Sequence, residues 1–520
     1  MSRYFGASLR SQRLSKKGET LDIKVISGDI TKLETDAILV GNTEGESKPG
    51  GVLAQVDQAL GGEIGRLISD GAIKGKLNEI NIINTLGRLP ARRVAIVGLG
   101  KGAEITANHL RGAIGEAFRA LRRASAWRVA TAITRDWGIQ ETDTIAQTIA
   151  EGSLLGLYTF RHHITKPPEF KEVEELLLVG PKPFQRKVAE KGLRTGKILA
   201  EATIKCRDMV NEPANFMTPT ELAAKAKQVA KTYGLECTIL ERKQMQEMGM
   251  GGLLGVSQGS VEPPKFIILR YWGADKKQTP IGFVGKGITF DSGGISLKPS
   301  ENMGDMKEDM AGGAAVICAL GAIAELKVKI NITGLIPATE NLPSGSAQRP
   351  GDIVKFLNGK TAEIGSTDAE GRLILADALS YACKEGISHV IDLATLTGAC
   401  MVALGDLYNG AFSNNKEFID QVVKAGELAG EKHWQLPLVE EYKEQIKSDC
   451  ADMKNIGGRY GGAITAALFL SEFIEDIPWV HLDIAGPVRS DKDKGFLVKG
   501  ATGIGVRTLV NLAMERAKKK

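Results

Sequence analysis

The amino-acid sequence predicts an α/β protein built as two successive domains, on three observations. Short apolar runs of strand length alternate with helical patterns along most of the chain. At 520 residues the chain exceeds what one hydrophobic core usually serves. Glycine-rich loops follow several of the apolar runs, as at the carboxyl ends of strands in open α/β sheets.

In the first part, Leu21 to Val25, Ala37 to Val40 and Val94 to Val97 read as buried strands. Leu53 to Leu67 and Leu110 to Leu121 read as amphipathic helices, and Leu176 to Gly180 as the last strand. This alternation implies a mostly parallel sheet covered by helices. A long helical pattern from about Phe184 to Asp208 ends near Asn211-Glu212-Pro213, where proline stops helices. The domain boundary is expected at its start, giving domains 1–182 and 183–520. In the second part the strand-like runs are Phe266 to Leu269, Ile281 to Val284, Ile330 to Ile336, Val390 to Leu393 and Val480 to Ile484. Helical patterns Asp309 to Leu326 and Leu373 to Lys384 separate some of them.

Several function classes fall away. A net charge of +5, spread along the chain, is not the basic stripe of a dedicated nucleic-acid binder. The basic runs Lys16-Lys17 and Lys518-Lys519-Lys520 read as solvated termini, and the segment with Arg3, Arg10 and Arg13 lacks the apolar stretch of a secretory signal. Six scattered cysteines without a C-x-x-C pair suit a reducing cytoplasm. The uncharged stretch Met310 to Ala324 is too short to span a bilayer. No H-E-x-x-H or G-x-x-x-x-G-K-[ST] motif is present, and His162-His163 point to different sides of any regular element.

What remains is a set of acidic residues beside glycines and apolar runs. Asp291 precedes Ser292-Gly293-Gly294, and Asp309 heads the apolar helix. Asp368 and Glu370 lie in Ser366-Thr-Asp-Ala-Glu-Gly-Arg-Leu373, where an extended backbone would send both carboxylates to one side. Asp309 and Asp368 each also have a reading as helix caps. Four carboxylates brought together would repel, and two divalent cations would remove the difficulty. Lys286 and Lys298 flank the same stretch. Near dications one lysine can serve as a neutral amine ligand, and one that stays protonated can stabilise an oxyanion.

These residues resemble a known family. The segment Val284-Gly-Lys-Gly-Ile-Thr-Phe-Asp-Ser-Gly-Gly-Ile-Ser-Leu-Lys-Pro299 is similar to the metal-binding segment of the leucyl (cytosol) aminopeptidases, a family of dinuclear metallopeptidases. Met306-Lys-Glu-Asp-Met310, Thr367-Asp-Ala-Glu-Gly-Arg-Leu373, Asp392-Leu-Ala-Thr-Leu-Thr-Gly398 and His481-Leu-Asp-Ile-Ala-Gly486 match further family segments. The resemblance implies an N-terminal macro-like α/β domain and a larger α/β metallopeptidase domain with a mixed central sheet. It implies a cytoplasmic homohexamer that removes N-terminal residues, preferably leucine and other apolar ones, from peptides. The cofactors implied are two divalent cations per subunit, Mn²⁺ or Zn²⁺, and bicarbonate.

By the same resemblance, Asp291 and Glu370 bridge the two metals, Lys286 and Asp309 complete one shell, and Asp368 completes the other. Lys298 steadies the gem-diolate, and Arg372 holds bicarbonate as general base for a metal-bridging hydroxide. Arginine's planar fork suits a planar anion independently of the family. Met306, Ser366, Thr395 and Gly398 line the pocket for the first side chain. Ser366 departs from the family's usual asparagine, which bears on side-chain preference. Two other readings are a two-metal phosphoesterase and an added DNA-binding regulatory role. The loop Asn42 to Gly51 resembles macro-domain nucleotide loops, but its glycine pattern is incomplete and a structural domain is expected.

Overall fold

The computed structural model describes residues 21–180 and 184–518. The basic N-terminal segment with Lys16-Lys17, the expected boundary at 182/183, and Lys519-Lys520 lie outside the described residues. Contacts group the chain into two units, 1–197 with 494–496, and 198–493 with 497–520. The division falls inside the helix Arg186–Asn211 rather than at its start. Packing explains this. Gly192 and Gly196 lie against the backbone of Asp143 and Gln147, whereas Leu199, Ala202 and Cys206 join the second unit's core.

In the first unit six strands form one sheet: β1 (Asp22–Ser27), β2 (Ala37–Asn42), β3 (Ile80–Asn84), β4 (Arg93–Gly98), β5 (Arg128–Ala132) and β6 (Glu175–Gly180), in the order β1-β6-β5-β2-β4-β3. All neighbours pair parallel except β3 with β4. The apolar runs anticipated four of these strands. β3 is half-exposed on the sheet edge and β5 reads Arg-Val-Ala-Thr-Ala, so neither makes a continuous apolar run. The helix expected over 53–67 is two helices, Gly51–Ala59 and Glu63–Ser69. Gly61 and Gly62, at φ 75° and 82°, turn the chain between them, and Asp57 Oδ1 accepts the N–H groups of Ile64 and Gly65 at the second start.

The second unit holds a nine-stranded mixed sheet. Its strands are β7 (Glu236–Leu240), β8 (Lys265–Trp272), β9 (Ile281–Gly285), β10 (Gly287–Asp291) and β11 (Asn331–Asn341). A small separate sheet uses β12 (Ile353–Lys355) and β13 (Thr361–Glu363). The large sheet continues with β14 (Val390–Ala394), β15 (Tyr408–Ser413) and β16 (Lys432–Gln435). β17 (Met453–Lys454) joins the small sheet, and β18 (Trp479–Asp483) the large one. The large sheet runs β16-β15-β18-β14-β9-β11-β8-β7, with β10 also on β11. β18, β14, β9 and β11 are mutually parallel, so their carboxyl ends share one edge.

All five expected strands of this unit are present, and the helices Ala311–Glu325 and Gly371–Lys384 stand where helical patterns were read. The first is apolar on every side because it is buried along nearly its whole length. It comes so close to the sheet that a Cβ on Gly312 would lie 2.1 Å from the Leu393 carbonyl oxygen. Among the described residues, no helix is long and apolar enough to cross a membrane.

One buried titratable group ties this unit's stability to pH. The His433 ring on β16 accepts at Nδ1 from the Asn409 side-chain amide (3.1 Å), and burial pulls its pKa down to about 4 from 6.5. The unfolded chain therefore binds a proton that the folded ring excludes. The stability this contributes is present above about pH 6.5 and lost as pH falls through 4. At ~1.4 kcal/mol per pH unit, the loss is about 3 kcal/mol. A His433→Gln variant, neutral throughout, is expected to fall less in Tm between pH 6.5 and 4 than the native chain; an unchanged slope would refute the assignment.

Candidate metal centre

The candidate site is assembled on the shared carboxyl edge of the second unit's sheet. β9 and β10 pair with successive parts of β11, and Lys286 is the single residue between them. Its backbone is held from two sides, donating to the Leu393 carbonyl (3.0 Å) and accepting from Gly313 (2.8 Å). Asp291 ends β10. Beyond it Gly293 and Gly294 take φ of 87° and 66°, folding the chain back so that the Lys298 N–H reaches the Ser292 carbonyl at 2.9 Å. This turn is why a lysine seven residues on contacts Asp291. Asp309 closes a 3₁₀ turn before the apolar helix, and Glu370 immediately precedes the helix Gly371–Lys384.

Asp291, Asp309 and Glu370 are all buried, and each places a carboxylate oxygen within 4.8 Å of the others. Lys286 Nζ lies 2.8 Å from both Asp309 Oδ2 and Glu370 Oε1, and 3.0 Å from the Thr395 carbonyl. A Cβ on Gly371 would lie 2.7 Å from that same Nζ, so glycine is what the lysine's approach allows. Lys298 Nζ lies 2.9 Å from Asp291 Oδ2 and also pairs with Asp368. Neither cap reading is realised. The helix after Asp309 has no side-chain cap, and neither does the one after Glu370. Asp309 Oδ1 instead accepts from the Thr395 hydroxyl at 2.6 Å.

Asp368 stands apart from the group of three. Its side chain keeps 36% exposure and meets the cluster through Lys298. The extended backbone expected over Asp368 and Glu370 is absent. Thr367 and Asp368 form a turn and Glu370 is α-helical, so the two carboxylates part, one to Lys298 and one to Lys286. Arg372 is buried. Its Nη1 donates to the Asn455 carbonyl (2.8 Å), while its Nε has no partner among the described residues.

Of the expected pocket residues, Met306 is half-buried in the 3₁₀ turn, Thr395 is half-buried on Asp309, and Gly398 is exposed. The Ser366 hydroxyl accepts from the Asp368 N–H at 3.2 Å, so in this fold it supports the turn that presents Asp368. Three polar residues were not singled out in the sequence. Asn341 ends β11 and donates to both Asp291 Oδ1 (2.8 Å) and the Thr367 carbonyl (3.0 Å). Asp483 ends β18 and gathers the N–H groups of Leu396, Thr397 and Ala485 with the Thr397 hydroxyl, shaping the loop that carries Thr395. Asn455 is the third. Each ends or follows a strand, and that position was the available signal.

The electrostatics of this group are unbalanced. Four carboxylates face two ammonium groups. Burial pushes the Asp291 carboxyl up, and Glu370's like charge adds to it. Burial holds Asp309 well above the usual carboxylate range. Burial also raises Asp368. Burial opposes the charge on Glu370 too, but Lys286 and Lys298 outweigh it and hold this carboxyl low. For both lysines, burial disfavours the ammonium form and the surrounding carboxylates reverse the sign, raising the pKa. Lys286 is thus charged in this arrangement. A buried oxygen-rich cluster short of positive charge fits divalent cations.

A model of the cytosol aminopeptidase family catalytic domain matches residues 204–510, and one of the family's N-terminal domain matches 39–167. The chain belongs to the cytosol aminopeptidase family. A probable cytosol aminopeptidase of Alkaliphilus metalliredigens is 45% identical over 500 residues, covering 96% of this chain and 100% of the relative. Another from Geobacter sulfurreducens is 46% identical over 488 residues, 94% of this chain and 98% of the relative. Among solved structures, a tomato leucine aminopeptidase mutant matches with TM-score 0.86 at 35% identity, covering 96% of this chain and 97% of that one. The bottromycin maturation enzyme BotP in complex with Mn matches with TM-score 0.82 at 34% identity, covering 93% and 100%. This cytosol aminopeptidase family member is a hydrolase with the family's two-domain α/β fold, and every candidate site residue lies within the matched catalytic region.

Proposed function

We propose that this aminopeptidase removes the N-terminal residue of peptides, preferring leucine and other apolar residues, with two divalent cations held by Asp291, Asp309, Glu370, Asp368 and Lys286. The observation that carries this reading is the convergence of three buried carboxylates with too little positive charge to neutralise them. When bound, such cations act as Lewis acids on a carbonyl and lower the pKa of water, Mn²⁺ and Zn²⁺ both being suited to the mixed oxygen and nitrogen donor set.

The chain's own residues supply the rest. Asn341 and the Gly293 N–H hold Asp291 Oδ1, leaving Oδ2 directed to Lys298. Lys298, only partly buried and positively charged, is placed to donate to an oxygen gaining negative charge at a scissile carbonyl. Bicarbonate would be held by Arg372, whose buried Nε lacks a partner among the described residues and whose fork suits a planar anion. When bound there, that anion would supply a base. Thr395 sets the Asp309 carboxylate, and Met306, Ser366, Thr395 and Gly398 border the place for the first side chain.

The test is hydrolysis of leucine p-nitroanilide by the purified chain before and after chelation, beside p-nitrophenyl phosphate. Chelation is expected to abolish peptidase turnover, and Mn²⁺ or Zn²⁺ to restore it, with no phosphatase turnover in either state. Unimpaired cleavage in the chelated protein, or turnover of the phosphate ester alone, would overturn the reading.

A further inference from the structure

Asn455 is completely buried, and all of its side-chain hydrogen bonds end on one loop. It follows β17, whose two residues pair in parallel with β13. Its N–H continues that ladder by one bond, to the Glu363 carbonyl at 3.0 Å. Past Glu363 the partner chain leaves the strand and becomes the loop that carries Asp368 and runs into Glu370. The Asn455 amide spans this loop. Oδ1 accepts from the Gly365 N–H (2.8 Å) and the Ser366 N–H (3.3 Å). Nδ2 donates to the Ser366 carbonyl (2.7 Å) and, at 3.4 Å, to that of Ala369. The residue's own carbonyl accepts from Arg372 Nη1 at 2.8 Å.

We propose that Asn455 is a positioning residue of the metal centre, a single amide that sets the turn presenting Asp368 and, through its carbonyl, the direction of the Arg372 fork. This rests on the aminopeptidase reading for its functional part. The physical case is one of donor and acceptor count. A side-chain amide offers two acceptor sites and two donors, and here all four face the one loop 364–370. No carboxylate or hydroxyl can substitute, because the loop presents N–H groups to one end and carbonyls to the other. The loop cannot satisfy those groups through a regular strand or helix, since it must turn Asp368 toward Lys298 and Glu370 toward Lys286. With the residue wholly enclosed, direct contact with substrate is excluded, so its effect is exerted through the residues it holds.

Asn455→Asp tests this with nearly unchanged shape. It keeps the acceptor toward Gly365 and Ser366 and replaces the donor by an oxygen facing two carbonyls. Loss of a side chain that orients metal-site residues typically costs ~10–100-fold. A fall of that size in kcat on leucine p-nitroanilide is expected, with KM within about threefold, the pattern of misplaced machinery rather than lost ground-state binding. Asn331→Asp is the matched control. Asn331 is buried at the far end of β11 from Asn341, donates to the Asp275 and Gln278 carbonyls and accepts from the Ala274 N–H. It is expected to lose Tm while keeping native kcat.

A second readout needs neither metal nor activity. In the metal-free protein, amide hydrogen exchange across 364–370 is expected to be at least about tenfold faster in Asn455→Asp than in the native chain, and unchanged in Asn331→Asp. Native-like exchange in that segment would overturn the proposal. So would kcat within threefold of native, an equal loss of kcat in the control, or collapse of the whole fold in Asn455→Asp alone. Absence of peptidase activity in the native chain would instead sink the functional reading, while the exchange comparison still decides the positioning role.

Discussion

Asp291→Asn is expected to purify with less bound divalent cation than the native chain and to lose at least about a thousandfold in kcat. The carboxylate is buried beside Glu370, whose like charge raises its pKa further, and Lys286 and Lys298 offset only part of that repulsion, leaving the rest to bound cations. Asparagine keeps the volume and an acceptor for the Gly293 N–H and the Asn341 amide, both within 2.9 Å, so shape and charge are separated. Lewis-acid stabilisation by a bound cation is worth several kcal/mol, and ~1.4 kcal/mol is tenfold in rate, which sets the thousandfold floor. The metal-free variant should be no less stable than the metal-free native chain, because one of four crowded charges has gone. Elemental analysis and thermal unfolding after chelation check the two halves. Full cation occupancy in Asp291→Asn would remove this carboxylate from the metal centre.

Lys298→Met is expected to lower kcat by ~10²–10³ while retaining metal, with KM changed little. Methionine keeps most of the aliphatic stem and removes the charge. In this site the ammonium is held by Asp291 and Asp368 on a turn set by Gly293 and Gly294, and it remains partly open to solvent on its outer side. A donor already in place when negative charge develops contributes in the transition state rather than in substrate binding. Losing one such donor costs about that factor. Removing a positive charge from beside two carboxylates cannot weaken their hold on cations, so metal content should be retained. Steady-state kinetics with parallel metal analysis decides it. A variant within threefold of native kcat would leave Lys298 as only a local counter-ion of Asp291.

Legibility followed the range over which each feature is encoded. Lys286, Asp291 and Lys298 were readable because one stretch holds the strand end, both glycines of the turn and both lysines. Glu370 was readable for the same reason, preceding the glycine that opens a helix, whereas Arg372 was singled out through the family resemblance. β3 and β5 were missed because an edge strand and an Ala-Thr strand lack an apolar run, and the helix over 53–67 was drawn through two glycines that break it. Asn341, Asn455 and Asp483 were invisible for a different cause. Each is one polar residue closing or following a strand, and its partners lie 26 to 90 residues away in sequence for the first two and largely 86 or 87 away for the third.

The sequence by itself determined which chemical groups are present and where the chain turns: carboxylates and lysines at strand ends, glycines where no other residue can fold back, and one arginine suited to a planar anion. Only the tertiary structure decided which of those groups meet. Parallel pairing lines up the carboxyl ends of β9, β11, β14 and β18, so residues from four distant segments come to one edge. That grouping put Asp291, Asp309 and Glu370 together and left Asp368 reaching them through a lysine. Charge repulsion and burial act over ångströms in space and take no account of distance along the chain, which is why the balance of this site had to be read from the fold.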